Sequence, residues 1–418
     1  MSELDESLPN AAVLQATLKA ATDRLAAELV TPTAQAPRWN DFEWRTAMAV
    51  SVMHGISGLL AERLRWQGPP AWQAFLAEQL DQSRRRERRA RELLARLDRS
   101  AREAGLPLLA MKGSALLALG LYAPGERPMS DVDLLARPQD LTAADRVIQA
   151  LGYERQTLWP RHDVYEPKGW GSDRAFGEHE ANPTKIELHP AVEEPLPLQE
   201  VDITASLFPA APRAGVNPYA SPAALMRHLL LHTAGNLCHR SVRLIQLHDI
   251  ALLGATLDAG AWREALAPAS DGRPAWWAVP PLALARRLFP GRLPEAVLDE
   301  AMAPAIEACP HRLRRRVADR GLAEWSLSHL ALPMLPGFEW SHSASETAAY
   351  AWRRLRPPCE ERIAGRKAVA REHLFASSAW ARKPRWLKAL SFLLGSPPRV
   401  QTIYNLHRAL AYRPSSSA

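Results

Sequence analysis

The sequence has few cysteines and lacks long apolar runs. Its 418 residues include three cysteines, none close to another: Cys238, Cys309 and Cys359. A disulfide framework and a cysteine-based zinc site are therefore not expected. No stretch approaches the roughly 20 apolar residues that a membrane-spanning helix needs, and the acidic N-terminus has no apolar run typical of a secretory signal. We expect a cytoplasmic protein without a transmembrane segment.

Three common catalytic or phosphate-binding motifs are also missing. The patterns Gly-x-x-x-x-Gly-Lys, Gly-x-Gly-x-x-Gly and Gly-x-Ser-x-Gly do not occur. Their absence argues against P-loop, dinucleotide-binding and α/β-hydrolase proteins. Lysine is scarce, with only seven among the 52 basic residues, so Lys112 stands out in its glycine-containing segment.

The charge is distributed unevenly along an otherwise ordinary globular composition. Hydrophobic residues make up 47% of the chain, charged residues 23%, and the net charge is +7. Residues 351–418 contain 14 Lys or Arg against 3 Asp or Glu, whereas the rest of the chain is slightly acidic. This basic tail is suited to an acidic partner, nucleic acid or an anionic membrane surface, or it forms the basic rim of a packed helix.

The periodicity of apolar residues divides the chain into four regions. Residues 1–104 have helical spacing, and residues 105–210 interleave the strand-like runs LPLLAM, DVDLLA and TKIELHP with helices. A proline-rich connection covers residues 191–220, across the boundary between the second and third regions. The third region, residues 211–340, is otherwise helical, and residues 341–418 form the basic tail region. We predict a mainly helical α/β (α+β) protein, with a small mixed sheet flanked by N- and C-terminal helical regions.

Two aspartates on one predicted strand are the strongest chemical signal. Asp131 and Asp133 are two residues apart, so both point to one face of the strand while Val132 and Leu134 point to the core. Two carboxylates this close repel each other unless a cation neutralises them. Mg²⁺ prefers such hard oxygen ligands and usually keeps substrate phosphates and water as its other ligands.

Residues that could bind phosphate precede this pair, and a third carboxylate follows it. A predicted strand runs into Lys112-Gly113-Ser114 and a helix, whose free N–H groups favour an anion. Arg127 adds positive charge, and on the later strand Glu187 shares a face with Lys185 and His189.

This arrangement resembles the polymerase-beta-like nucleotidyltransferase superfamily and, within it, a bacterial family of uncharacterised nucleotidyltransferases. The similarity rests on a Lys-Gly-Ser turn, a gap of 16 residues, an Asp-Val-Asp-Leu-Leu strand and a third carboxylate. It is strong over about residues 105–190 and weaker to about residue 260, where His228, His232 and Asp249 resemble the family's following helices.

The resemblance implies a role for each matched residue. Asp131, Asp133 and Glu187 would hold Mg²⁺ or Mn²⁺, and Glu187 would also orient or deprotonate the attacking hydroxyl group. In addition, four residues would bind the phosphates of an NTP, with ATP as the first choice: Lys112, Gly113, Ser114 and Arg127. The implied reaction transfers a nucleotide to an unknown acceptor hydroxyl or phosphate.

Several alternatives remain open at the level of the sequence. Arg127 or Lys112 could form a structural ion pair with Asp131. Glu187 could lie at the rim, which would leave a catalytically impaired binding or assembly module with the same fold. His228 and His232 have the i, i+4 spacing of a zinc pair, but the expected glutamate is missing, so packing or hydrogen bonding is the favoured interpretation.

Overall fold

Helices make up most of the computed structural model, which describes residues 8–158, 161–171, 175–269, 272–331, 337–356, 387 and 399–414. Much of the predicted basic tail, residues 357–386 and 388–398, lies outside the described residues, and this part includes nearly all of the stretch ARKPRWLKALSFLLG at residues 381–395. No described helix is both long enough and apolar enough to cross a membrane.

The helices are numbered here in chain order. They are α1 (Ala11–Val30), α2 (Asp41–His54), α3 (Ser57–Arg63), α4 (Pro70–Glu103), α5 (Gly113–Ala118), α6 (Leu141–Ala150), α7 (Pro222–Cys238), α8 (Leu244–Gly254), α9 (Ala259–Ala265), α10 (Val279–Leu288), α11 (Glu295–Ala308), α12 (His311–Asp319), α13 (Leu322–Trp325), α14 (Ala344–Leu355) and α15 (Val400–Ala411). Short 3₁₀ helices cover Pro138–Asp140, Thr204–Ser206, Trp276–Ala278 and Phe338–Trp340.

Six strands form one mixed sheet, and two others form a hairpin. The strands are β1 (Pro107–Ala110), β2 (Asp131–Leu135), β3 (Tyr153–Leu158), β4 (Asp163–Pro167), β5 (Lys185–His189), β6 (Glu193–Leu196), β7 (Gln199–Asp202) and β8 (Gly215–Asn217). The large sheet has the order β3-β4-β5-β2-β1-β8, with β6 and β7 paired separately. The pairs β2–β5 and β1–β8 are parallel and the others antiparallel. The predicted mainly helical α/β class is thus confirmed.

One face of this sheet carries the apolar core. Strand alternation places the apolar side chains of the strands on the face that packs against α4 and α6. The buried members of this core include Ala90, Leu93, Leu97 and Ala101 of α4, Ala144, Val147 and Ile148 of α6, and Leu108, Val132, Leu134, Ile186 and Leu188 of the strands. The opposite face of β2 and β5 therefore carries the polar side chains that alternate with the apolar ones.

The structure corrects the sequence interpretation of two segments. Strands β3 and β4 were not predicted, because YERQTL and DVYEP are polar and lack a clear apolar alternation. Residues 191–220 are not only a proline-rich connection, since they form the β6–β7 hairpin and the edge strand β8.

The chain forms two compact units, each made of separate stretches. Unit 1 consists of Met1–Glu78, Asn236–Leu244 and Pro310–Ala418, and unit 2 of Gln79–Gly235 and Ile245–Cys309. The large sheet lies in unit 2. The division into four sequence regions stays a prediction.

Unit 1 contains a histidine that is almost completely buried. His54 is 1% exposed, its Nδ1 accepts a hydrogen bond from the backbone N–H of Leu244 at 3.0 Å, and its Nε2 lies 3.0 Å from Ser328 Oγ. Burial, assisted by the charge of Arg243, lowers the pKa of His54 from 6.5 to about 3. The folded state therefore contains His54 with a neutral imidazole ring.

We expect unit 1 to lose stability in mild acid because of His54. The folded-state pKa is depressed, so this stability is complete above pH 6.5 and declines as the pH falls towards 3. The expected slope is about 1.4 kcal/mol per pH unit for one proton. Chemical denaturation of His54→Asn should show a shallower acid dependence than the wild type, with exposed His311→Asn as the control. Equal slopes in the wild type and His54→Asn would contradict this assignment.

Candidate active site

The candidate site lies on the polar face of two neighbouring parallel strands in unit 2. Asp133 of β2 is paired directly with Glu187 of β5, and Asp131 with Lys185. Asp133 is buried at 5% exposure, while Asp131 and Glu187 are half-buried. The register of β2 and β5 places Asp133 beside Glu187. The three carboxylates predicted from the sequence therefore lie on one face of this strand pair.

Lys112 places an ammonium group against this carboxylate pair. Its Nζ lies 2.8 Å from Asp133 Oδ1, and both side chains are largely buried. Burial alone would lower the pKa of Lys112, but the charges of Asp133 and Glu187 raise it above its ordinary value. Burial alone would likewise raise the pKa of Asp133, yet Lys112 and His189 hold it well below its usual range. Both groups are therefore charged near neutral pH.

The backbone of Lys112 is held in an unusual conformation at the start of α5. Its φ is +48° and its ψ is −116°, in a region that residues with a Cβ rarely adopt. Its N–H donates to Tyr219 Oη at 3.2 Å, and that hydroxyl lies 2.7 Å from His228 Nδ1. Strain of this kind persists where the surroundings impose it, and it is common at functional sites.

Two histidines complete the polar cluster. His189 Nε2 lies 3.1 Å from Asp133 Oδ1 and 3.6 Å from Glu187 Oε2, and His162 Nε2 is also 3.6 Å from Glu187 Oε2. Burial opposes protonation of His189, but its hydrogen bonds with Asp133 and Glu187 raise its pKa. Burial lowers the pKa of His162.

The ligand atoms of these two histidines and Glu187 lie close enough for one metal ion. In the part of the chain that the structure describes, His162, Glu187 and His189 form the one trio of His, Cys, Asp or Glu whose ligand atoms all lie within 4.8 Å of one another. Asp131 and Asp133 are outside this trio, although Asp133 touches it through His189. Sequence analysis placed His189 on the face of Glu187 but did not find His162.

Arg127 forms a two-pronged ion pair with a residue of α8. Its Nε and Nη2 each donate to Asp249 at 2.9 Å, and Tyr122 Oη donates to the same carboxylate at 2.6 Å. The structural ion pair considered for Arg127 therefore exists, but with Asp249 instead of Asp131. A Cβ on Gly113 would lie 2.4 Å from Arg127 Nη1, so this close approach requires glycine.

Ser114 offers a buried hydroxyl at the beginning of α5. It is 3% exposed, and its Oγ has no hydrogen-bond partner among the described residues. A buried hydroxyl without a partner is uncommon in folded proteins. Ser114 lines a cavity of about 590 Å³, which Ala115, Val216 and Tyr219 also line.

The histidine pair of α7 makes ring and hydrogen-bond contacts in the described structure. Burial lowers the pKa of His228 far below its usual value and that of His232 to about 3, so both rings are neutral. Their rings meet edge to face with centroids 6.5 Å apart, and His228 bonds Tyr219. This agrees with the favoured packing and hydrogen-bonding interpretation.

Glu194 is a fourth carboxylate near the cluster, half-buried, and sequence analysis missed it. It pairs with Arg161 at 2.9 Å and fills the space beside Gly235 of α7, where a Cβ would lie 2.6 Å from its Cδ. Burial raises its pKa, and the charges of Arg161, Lys112 and His189 only partly oppose this. Its position in a hairpin separate from the large sheet left no signal in the local sequence pattern.

A family model described as "Uncharacterised nucleotidyltransferase" matches residues 40–290. The chain belongs to this family. Membership supports nucleotidyl transfer as the general activity of this nucleotidyltransferase and a nucleotide as its substrate. The matched range includes all the residues of the cluster, from Lys112 to Asp249. Comparisons with curated proteins and with solved structures found no match.

Proposed function

We propose that this nucleotidyltransferase moves a nucleotide from an NTP, with ATP as the first choice, to an acceptor hydroxyl or phosphate with the help of Mg²⁺ or Mn²⁺. The observation that carries the proposal is the direct pairing of Asp133 with Glu187 on parallel strands, beside Asp131 and against Lys112. The wider superfamily and the bacterial branch stay predictions.

The donor chemistry of the cluster fits a hard divalent ion. Asp131, Asp133 and Glu187 supply carboxylate oxygens on one face, and Asp133 is held ionised although it is buried. These three residues would hold Mg²⁺ or Mn²⁺, which would neutralise phosphate charge and favour in-line displacement.

The residues of the chain have separate tasks in the proposed reaction. The acceptor oxygen attacks the α-phosphorus, the bond from that phosphorus to the bridging oxygen breaks, and pyrophosphate leaves. Glu187 accepts the proton of the attacking hydroxyl group. His189 bonds Asp133 and lies 3.6 Å from Glu187, so it orients both carboxylates.

The predicted phosphate-binding residues are proposed to act as follows. The ammonium group of Lys112 and the hydroxyl group of Ser114 bind phosphate oxygens. Gly113 leaves room for the guanidinium group of Arg127, which is fixed by Asp249 and presents its remaining charge to the nucleotide.

A binding or assembly module without catalysis is the second candidate. The contact that favours it is the 2.8 Å ion pair of Lys112 with Asp133, because this ammonium group already neutralises a predicted metal ligand. In that case the cluster would stabilise the sheet and leave NTP binding independent of Mg²⁺.

We expect Mg²⁺ with NTP to raise the melting temperature of the wild type. A ligand that binds only the folded state stabilises it by about 2.7 kcal/mol at 100 times its dissociation constant. Asp131→Asn combined with Asp133→Asn should abolish this shift, because the carboxylates no longer offer charge to the ion. Exposed Asp299→Asn is the control and should keep it. An equal shift in the double variant would contradict the metal assignment.

A further inference from the structure

We propose that His162, Glu187 and His189 form a binding site for a borderline first-row divalent ion of the Zn²⁺ or Co²⁺ type. Its donor set of two imidazole nitrogens and one carboxylate oxygen differs from the all-carboxylate set proposed for Mg²⁺. A role for this ion in catalysis rests on the proposed function, but its binding does not.

The separations among the three ligand atoms suit a bound ion. Both His162 Nε2 and His189 Nε2 are 3.6 Å from Glu187 Oε2. Bonds of about 2.0–2.2 Å at tetrahedral angles put neighbouring ligand atoms roughly 3.3–3.6 Å apart. These two separations therefore match those of a coordinated ion, and all three ligand atoms lie within 4.8 Å of one another.

The sheet itself brings the three ligands together. Glu187 and His189 are two residues apart on β5 and share a face. Strand β4 runs antiparallel to β5 with Asp163 opposite Leu188, so the preceding residue, His162, reaches His189. The two rings stack with centroids 4.7 Å apart. A ligand set supported by two paired strands is better ordered than one on separate loops.

The surroundings leave His189 able to exchange its hydrogen bond for an ion. Its Nε2 lies 3.1 Å from Asp133 Oδ1. On binding, Nε2 would release the proton that it donates to Asp133 to solvent, and its lone pair would then bind the ion. Asp133 would then keep Lys112, which is 2.8 Å from the same oxygen. The three protein ligands leave further positions open, as in catalytic zinc sites.

Donor chemistry separates this site from the magnesium site. Imidazole nitrogen suits Zn²⁺, Co²⁺ and similar ions, whereas Mg²⁺ takes oxygen ligands. Because Glu187 belongs to both donor sets, an ion held by the trio would lie next to the one held by Asp131 and Asp133. The trio should bind Co²⁺ in the absence of any nucleotide.

A titration of the chelator-treated full chain with Co²⁺ tests the proposal. We expect visible absorption bands that saturate at one equivalent, disappear when Zn²⁺ is added and persist in excess Mg²⁺. His162→Gln and Glu187→Gln should each weaken Co²⁺ binding at least tenfold, because losing even a hydrogen-bond partner of a ligand costs roughly 10–100-fold in metal affinity. Exposed His311→Gln is the control. Circular dichroism and the melting temperature establish that each variant is folded.

The possible outcomes separate this inference from the proposed function. Bands that are absent, or equal in wild type, His162→Gln and Glu187→Gln, overturn the site even if nucleotidyl transfer is found. Bands that depend on the trio support it even if no transfer is found with any NTP. Asp131 lies outside the trio. The Asp131→Asn variant should therefore retain the Co²⁺ absorption bands and lose the thermal shift with Mg²⁺ and NTP.

Discussion

Glu187→Gln should reduce nucleotidyl transfer by roughly 10²-fold or more while NTP binding stays largely intact. The substitution keeps the shape of the side chain and removes the charge that would accept a proton. In the proposed site Asp131 and Asp133 would still hold the ion and nucleotide, since they lie on the adjacent strand and Lys112 remains in place. The loss should therefore appear in the chemical step.

Two measurements test the two parts of this expectation. Calorimetry with Mg²⁺ and NTP measures binding by the variant, and labelled NTP incubated with cell extract first identifies an acceptor and then measures product formation. Glu166→Gln is a matched control, because Glu166 lies in the same sheet and pairs with Lys185 at 3.1 Å. Unchanged turnover in Glu187→Gln would remove this residue from the mechanism.

Lys112→Met should destabilise the fold strongly. Removing one partner of a buried ion pair typically costs 3–5 kcal/mol, roughly, because the other charge stays buried without compensation. The side chains of Lys112 and Asp133 are only 16% and 7% exposed. Methionine has a similar length and keeps the Cβ, so the strain of the positive φ is unchanged and the ammonium group is the main difference.

The matched control is the more exposed ion pair of the same sheet. Lys185 is 38% exposed and lies 3.1 Å from Glu166, so Lys185→Met should cost only about 0–1 kcal/mol. Urea denaturation followed by circular dichroism measures both variants. Adding Asp133→Asn to Lys112→Met should recover part of the loss. If Lys112→Met is no more harmful than Lys185→Met, the pair does not support the site as described.

The cost of Lys112→Met should also depend on pH. In this variant His189 is the remaining positive partner of Asp133, and its hydrogen bonds raise its pKa in the folded state. Its charge is complete below the ordinary histidine pKa and is lost as the pH rises through the raised value. Destabilisation should thus increase with pH over that interval, whereas Lys185→Met should show no such increase.

Local periodicity explains how much of the site could be predicted. Side chains of a strand alternate between two faces, so the spacing of Asp131 and Asp133 placed them together and opposite Val132. The same argument placed Glu187 and His189 together on a later strand. Their strands and the apolar core face are confirmed, because each depends on residues that are adjacent in the sequence.

The remaining neighbours of the site come from distant parts of the chain. His162 reaches Glu187 only because β4 pairs with β5, and β4 is too polar to be predicted as a strand. Arg127 pairs with Asp249 on α8 instead of Asp131, the partner that the sequence suggested. Glu194 enters from a hairpin that the sequence indicated only as a proline-rich connection.

Local sequence patterns specify the helical character of the chain, the strands bearing the carboxylates and the face to which each carboxylate points, because these follow from the geometry of a single element. The placement of Asp133 beside Glu187, the neutralisation of Asp133 by Lys112 and the convergence of two histidines on Glu187 come from the folded chain. Strand order, register and the partners of buried charges depend on the packing of all the elements together, and no local pattern specifies them.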